Sequence, residues 1–119
     1  MHNFKELNVW KESMGLAKEV FITTKNFPAE EKYELISQIN RCSISIPSNI
    51  AEGAGRGTDK DFNQFLNIAL GSAFELETQL LLSNEFNYIT KEQTQILTEK
   101  VCKVQRMING LKKSVMQHS

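Results

Sequence analysis

The stretch Ser45-Ile-Pro-Ser-Asn-Ile-Ala-Glu-Gly-Ala-Gly-Arg56 places a proline, two glycines and several polar side chains in a segment with a helical apolar pattern. Upstream of it and within it, apolar residues recur at spacings of three and four, which predicts one buried helix face. These residues are Leu35, Ile39, Cys42, Ile46 and Ile50. The glycines at 53, 55 and 57 predict the end of this helix, because glycine is a poor helix former.

Three further segments have the same periodicity, and each therefore predicts an amphipathic helix. The apolar stripe of the first is Leu7, Trp10, Met14, Ala17 and Phe21. That of the third is Phe62, Leu66, Ala69, Ala73, Leu76 and Leu80. That of the fourth is Leu97, Val101, Val104, Ile108, Leu111 and Val115. We predict helices at about residues 5–26, 30–54, 58–86 and 90–116, in one domain that spans residues 1–119.

The stripes also indicate how the helices pack. Their near-heptad rhythm favours shallow crossing angles, and short connections favour antiparallel neighbours. Thr58 and Thr90 are suitable N-caps, with Asp61 and Gln93 at the capping-box positions. The sequence therefore predicts an all-α, antiparallel up-down-up-down four-helix bundle.

Charge is balanced overall but unevenly distributed. The chain has 14 basic and 14 acidic residues, unlike a strongly basic nucleic-acid-binding domain. Residues 61–90 contain four acidic and no basic residues, whereas residues 91–119 contain six basic and two acidic ones. Cations on the fourth helix are a candidate phosphate-binding surface: Lys100, Lys103, Arg106, Lys112 and Lys113. The alternatives are a solvated face, or charge complementarity with the acidic third helix.

Two helices carry more apolar surface than one core requires. On the second helix the surplus residues are Ile36, Ile44, Pro47, Ala51 and Ala54, and on the third they are Leu70, Phe74 and Leu81. Such surplus predicts burial against a second copy, and hence a homo-oligomer. The alternative is scattered exposed apolar residues, which are common on protein surfaces.

A polar row follows one arc of the second helix, at spacings of four, four, three and four. Its members are Arg41, Ser45, Asn49, Glu52 and Arg56. Ser72 and Glu75 of the third helix are possible complements, and Gly71 would allow close backbone approach. We expect the charged members to be partly buried and paired, because an unpaired buried charge is costly. The row is interpreted as a network that fixes helix register or a subunit contact; the alternative is a ligand or catalytic site built on Arg41, Glu52 and Glu75.

Neither catalysis nor metal binding has a strong signal in the sequence. Ser, Cys and His show no nucleophile arrangement, and His2 and His118 make no credible metal pair. We therefore predict a protein that is not an enzyme and needs no cofactor. Cys42 and Cys102 lack the spacing of a zinc site and are read as reduced thiols, with a disulfide as the alternative. With no signal-peptide core and no membrane-length apolar run, the protein is predicted to be soluble and cytoplasmic.

The central stretch and its flanks resemble a bacterial family, the 23S rRNA intervening-sequence proteins (the S23 family). The matching segments are Leu7 with Val9-Trp10, Phe27-Pro28 with Glu31 and Tyr33-Glu34-Leu35, Gln38 to Arg41, Ser45 to Gly53, Arg56, Phe62 with Phe65-Leu66, and Ala69 with Gly71-Ser72 and Glu75-Leu76-Glu77. The resemblance implies a four-helix bundle that assembles into a homopentameric ring. The family is similar to the accessory protein of diversity-generating retroelements, which binds nucleic acid and a reverse transcriptase through a basic surface. The resemblance supplies no catalytic residues.

Together these observations favour a non-enzymatic, ring-forming scaffold that binds structured RNA or another nucleic acid. Two alternatives remain: an interaction module for a polypeptide partner, and an enzyme that uses Arg41, Glu52 and Glu75.

Overall fold

The computed structural model describes residues 2–117, with the side chains of residues 31–33 excepted, so His118 lies outside the described residues. Four α-helices occupy most of this range: α1 Asn8–Thr24, α2 Ser37–Ala54, α3 Asp59–Glu85 and α4 Lys91–Gln117. Short 3-10 turns at Phe4–Glu6 and Ala29–Glu31, and a π-helical turn at Lys32–Ile36, precede α1 and α2. No strand occurs between residues 2 and 117, and the predicted all-α class with four helices is confirmed.

The helix boundaries follow from local hydrogen bonding. Thr58 Oγ1 accepts the backbone N–H of Asp61 at 3.1 Å, which caps α3. Thr90 and Gln93 form a reciprocal capping box before α4, with distances of 3.1 and 3.4 Å. The α1 helix begins at Asn8 because Leu7 is extended, with φ −72° and ψ 124°.

The helices pack in the cyclic order α1, α2, α3, α4, with α4 also against α1. The molecule measures 46 × 24 × 20 Å, so the helices lie along its long axis. The stripes predicted for α2, α3 and α4 form most of the core; only Leu35 and Leu111 of these are half-buried. Within the described residues, no helix has the length and apolar character needed to cross a membrane.

The stripe predicted for α1 is wrong in part. Leu7 and Trp10 are half-buried against the core, but Met14 and Phe21 are 47% and 52% exposed, and the buried face is rotated away from them. That face consists of Val9, Ser13, Leu16, Val20 and Thr24. Two of its members are polar, but each hydroxyl bonds to a backbone carbonyl of its own helix: Ser13 Oγ donates to Trp10 O at 2.9 Å and Thr24 Oγ1 to Phe21 O at 3.0 Å. Hydroxyls that are hydrogen-bonded can be buried at low cost, and α1 therefore buries a partly polar face.

The predicted end of the second helix at residue 54 agrees with the structure, but the glycine at the close approach of α2 and α3 is not the expected one. The α2 helix continues through Gly53 and ends after Ala54. A Cβ atom on Gly53 would lie 2.7 Å from Phe65 Cβ, so this glycine provides the close approach between α2 and α3. Gly71, which was expected to do so, has open space where a Cβ would be.

Candidate functional site

The centre of the polar row bridges α2 and α3. Ser45 Oγ lies 2.8 Å from Ser72 Oγ, within hydrogen-bond distance. The Asn49 amide donates to the carbonyl and the hydroxyl of Ser45, at 2.8 and 2.9 Å. Because all three side chains are half-buried, their bonds fix the relative height of the two helices.

A buried thiol completes this contact. Cys42 Sγ donates to Glu75 Oε2 at 3.3 Å. Burial, reinforced by the hydrogen bond and the charge of Glu75, raises the pKa of the Cys42 thiol to about 11. The thiol is therefore protonated at neutral pH and is a poor nucleophile.

The charged members of the row lie at the surface, so the expectation that they are partly buried is wrong. Arg41, Glu52, Arg56 and Glu75 are all exposed. Glu52 Oε1 pairs with Arg56 Nη2 at 3.3 Å, one helical turn apart. The Arg56 guanidinium also lies 4.7 Å from the centre of the Phe65 ring, which gives a cation–π contact between α2 and α3.

Two of the candidate phosphate-binding cations are paired within the chain. Lys100 Nζ donates to Glu19 Oε1 at 2.6 Å, and Lys103 Nζ donates to Glu12 Oε1 at 3.0 Å. Their carboxylate partners are on α1 and not on the acidic α3, because Lys100 and Lys103 lie on the side of α4 that faces α1. The pairs are half-exposed, and each contributes little to stability.

The remaining candidate cations lie further along α4. Lys113 is exposed and Lys112 is half-buried, both in the last turns of the helix. Arg106 lines a cavity of about 370 Å³ between α3 and α4, together with Glu77 and Cys102. The structure therefore does not bring the five predicted cations onto one face.

Glu77 is the polar centre of the α3/α4 contact. Its carboxylate accepts from Gln105 Nε2 at 2.8 Å, and Cys102 Sγ lies 3.7 Å from its other oxygen. Burial and the nearby Glu77 charge raise the pKa of the Cys102 thiol. Both cysteines are free thiols that bond to carboxylates on different sides of α3, as the reduced interpretation predicts.

An open apolar groove separates the outer edges of α1 and α2. Its volume is about 540 Å³. Apolar side chains supply most of the lining, with Lys18 and Ser48 beside them. We call it the α1/α2 groove, and its apolar members are Trp10, Met14, Ala17, Phe21, Ile44, Pro47 and Ala51. The sequence pattern predicted that the α1 members lie in the core and that the α2 members are surplus apolar surface.

A second apolar surface lies on α3, which we call the α3 ridge: Leu70, Phe74 and Leu81. Phe74 and Leu81 are 51% and 49% exposed. Leu81 lines the cavity shared with α4, so the ridge lies on the α4 side of α3, away from the α1/α2 groove. The groove and the ridge are two separate unpartnered apolar surfaces on one small chain.

The described residues offer little for metal chemistry. No group of three or more His, Cys, Asp or Glu side chains among them is arranged to hold a metal ion. Arg41 and Glu52 are eleven residues apart in one helix, or about 16 Å along its axis. They cannot both contact one reacting centre together with Glu75.

This arrangement defines the class: a small all-α protein of four packed helices with a polar α2/α3 contact and exposed apolar surfaces. The sequence profile of the 23S rRNA-intervening sequence protein family matches residues 5–110, and the chain belongs to that family. A crystal structure of a protein of unknown function from the S23 ribosomal protein family of Bacteroides thetaiotaomicron is similar in fold. It has a TM-score of 0.82 and 30% identity, over 88% of this chain and 95% of that one. A comparison with curated proteins gave no match.

Proposed function

We propose that the chain is a non-enzymatic scaffold that assembles with copies of itself and binds structured RNA or another nucleic acid. The observation that carries the assembly is the presence of two exposed apolar surfaces, the α1/α2 groove and the α3 ridge. Monomeric proteins rarely expose large contiguous apolar patches unless the patch binds something. Two such surfaces on different sides of one chain suit a head-to-tail contact, in which the ridge of one copy enters the groove of the next.

The heights of the two surfaces support this contact. The Ser45–Ser72 and Cys42–Glu75 bonds set a register in which Ala73 is level with Ile44. Phe74 is therefore within about 1.5 Å of the height of Ile44. Rotation about an axis parallel to the helices changes no heights, so Phe74 of one copy would meet the middle of the next copy's groove. Closure of this rotation gives a ring, and the family resemblance implies five copies.

Charge supports a second copy as the occupant of the groove. Lys11, Lys18 and Lys25 are exposed and recur every seven residues along the outer side of α1. The helix that carries the ridge has no Lys or Arg after Lys60 and four acidic residues between 61 and 85. The lysines on the outer side of α1 and at its C-terminal end would therefore be attracted to the acidic α3 at the contact.

Native mass spectrometry tests the assembly. Wild type is expected to be oligomeric at micromolar concentration, and Phe74→Glu and Ile44→Glu are expected to be monomeric, because each buries a charge at the contact. Ile96→Glu is the matched control, since Ile96 is 54% exposed on α4, away from the groove and the ridge. A monomeric wild type, or equal dissociation of all three variants, would contradict the assembly.

Mixing the two monomeric variants tests the head-to-tail geometry. Phe74→Glu retains an intact groove and Ile44→Glu an intact ridge. The mixture should therefore form a one-to-one heterodimer, although neither variant associates alone. A contact of groove with groove predicts no such complementation.

Nucleic-acid binding rests on the basic residues of α4 that are not paired with α1. Neutralised phosphates release counterions, so the affinity of a labelled RNA hairpin should fall linearly with salt on a log–log plot. Binding that is absent even at low salt would overturn this part of the proposal.

The α1/α2 groove favours the second candidate, a polypeptide partner: an amphipathic helix could occupy it if the chain proves monomeric. Capture of a protein that resists nuclease treatment would support that candidate.

The enzyme alternative lacks support because Glu52 lies about 16 Å along α2 from Arg41, and all three residues it requires are exposed. We place the scaffold in the cytoplasm, because two free thiols suit a reducing compartment.

A further inference from the structure

Charge separates along the long axis of the bundle, although the chain is neutral overall. One end contains the start of α1, the end of α2, the start of α3 and the end of α4. The backbones of residues 2–14, 48–68 and 103–117 lie in this half, and they carry eight Lys or Arg and five Asp or Glu. The other half contains residues 18–41 and 74–100, which carry six Lys or Arg and nine Asp or Glu. The two halves therefore have net charges of +3 and −3.

Contacts between distant parts of the chain bring the basic half together. His2 N–H donates to Ala54 O at 2.8 Å, and the His2 ring lies 5.0 Å from that of Phe62. Met107 and Leu111 of α4 line one cavity with Leu7 of the N-terminal segment. The first residues, the α2–α3 loop and the last turns of α4 thus form one surface, which we call the basic end.

Local ion pairs remove some charges from this surface and leave the imbalance unchanged. Arg56 pairs with Glu52, and Lys103 pairs with Glu12. Six cations then remain against Glu6, Asp59 and Asp61. They are Lys5, Lys11, Lys60, Arg106, Lys112 and Lys113. Arg106 lies beside Glu77 in the α3/α4 cavity, so the end surface itself combines Lys112 and Lys113 of α4 with Lys5, Lys11 and Lys60 from earlier segments.

We propose that the phosphate backbone of the nucleic acid binds at the basic end, so that the bundle meets its ligand end-on. This inference rests on the proposed function and specifies which surface of the scaffold performs it. Lys100 has no part in the site, because it lies in the acidic half and is paired with Glu19. Lys60 and Lys5, which lie outside α4, belong to the site.

Assembly would increase the charge difference between the two ends. Copies that are related by rotation about an axis parallel to the helices keep all basic ends on one face and all acidic ends on the other. Each added copy contributes a further +3 to the first face and −3 to the second. Phosphate contacts accumulate in affinity, and the acidic face repels the same ligand. A protein without net charge can therefore bind a polyanion in one orientation.

Matched charge reversals test the site. The basic-end variant is Lys60→Glu with Lys113→Glu, and the control is Arg41→Glu with Lys91→Glu in the acidic half. All four residues are exposed, and both variants change the net charge by the same amount. Binding of a fluorescein-labelled RNA hairpin is measured by anisotropy from low to high salt, and native mass spectrometry confirms that each variant keeps the wild-type assembly.

The basic-end variant should bind at least tenfold more weakly at low salt. The slope of log affinity against log salt should fall by about one for each lost phosphate contact. At about 0.1 M salt the control should remain within about threefold of wild type, since its charges lie beyond the Debye length of about 10 Å from the ligand. Equal losses in both variants would overturn the end-on site while leaving RNA binding intact. Failure of wild type to bind RNA, or its binding of polyglutamate instead, would overturn the nucleic-acid function and the site with it.

Discussion

On its α3 side, helix α2 is joined to its neighbour by a glycine contact and hydrogen bonds, whereas on its α1 side an apolar groove is left open. Gly53 lets the backbone of α2 approach Phe65, and Ser45, which accepts from Asn49, bonds to Ser72. On the other side, Ile44 is 56% exposed and faces Phe21 across the groove. One helix therefore combines a contact completed within the chain and a surface that the chain does not cover.

The difference lies in the residue types that each side uses. Small and polar side chains on the α3 side fix register, because their bonds have directional geometry. Large apolar side chains on the α1 side specify no single partner geometry but gain free energy from whatever covers them. The chain can thus keep its fold rigid on one side of α2 while leaving apolar area uncovered on the other.

Two isoleucines two positions apart, Ile44 and Ile46, give the largest expected contrast. Ile46 is fully buried, and Ile46→Ala should lower the free energy of unfolding by about 2–5 kcal/mol through lost burial and a cavity. Ile44→Ala should change it by no more than about 0.5 kcal/mol at protein concentrations where the chain is monomeric. Urea unfolding followed by circular dichroism measures both.

Protein concentration supplies the control for that pair. The loss in free energy of unfolding caused by Ile46→Ala should be similar at every concentration, because the cavity is inside one chain. The loss caused by Ile44→Ala should grow as concentration rises, since association stabilises only the folded state. Equal costs for the two variants at low concentration would contradict the contrast between core and groove.

The contact between α2 and α3 can be disrupted by a substitution at Gly53. An added methyl on Gly53 would lie 2.7 Å from Phe65 Cβ and 3.0 Å from the Phe62 ring. Because Phe62 is buried, α2 and α3 must separate locally, and Gly53→Ala should lower the free energy of unfolding by about 1–3 kcal/mol. Thermal unfolding checks this, and a melting temperature equal to or above that of wild type would show that the approach is not tight.

Sequence periodicity predicted α3 and α4 well, because their buried faces are mostly apolar: Phe62 to Leu80 and Leu97 to Val115 follow the expected stripes, and the buried polar residues are Ser83, Thr94 and Gln105. It failed on α1, where the core face includes Ser13 and Thr24. Their hydroxyls bond within their own helix, so burial costs little and leaves no apolar signal. The stronger apolar stripe of α1 belongs to the groove. A pattern shows that a face is apolar, and it does not show what covers it.

The candidate site was harder to predict because it depends on contacts between helices. The spacing of the polar row correctly joined Ser45 and Asn49, but it gave no indication that Arg41 and Glu52 are exposed. Nothing within α4 indicates that Lys100 would pair with Glu19, 81 residues away. Such pairs depend on which sides of two helices meet, and that is a property of the packed bundle.

The pH dependence of stability should reveal the Cys42 thiol in the contact between α2 and α3. Burial raises the pKa of Cys42 from about 9 to about 11, so the folded state keeps a proton that the unfolded chain releases. This contribution is fully present below pH 9 and is lost as pH rises from 9 to 11. The free energy of unfolding should fall across that window by up to about 1.4 kcal/mol per pH unit.

Cys42→Ala isolates the effect from other groups that titrate in this range. The measured quantity is the difference between the pH slopes of wild type and variant in urea unfolding, so the cavity left by the variant cancels. Cys102 provides a comparison in the α3/α4 contact: it is half-exposed, and iodoacetamide should label it faster than Cys42. Identical pH slopes would show that Cys42 ionises as readily when folded as when unfolded.

The smallest effect comes from the other glycine, Gly71 in the middle of α3. It is exposed, and a Cβ there would meet nothing within 4 Å. Gly71→Ala should therefore raise the free energy of unfolding by about 0.5–1 kcal/mol, because alanine loses less backbone entropy than glycine in a helix. The same substitution thus has opposite signs at Gly53 and Gly71, which separates a glycine required for close approach from one that is not. A destabilised Gly71→Ala measured at low concentration would place an unseen contact within the chain. Destabilisation only at high concentration would place Gly71 in the contact between copies, beside Phe74.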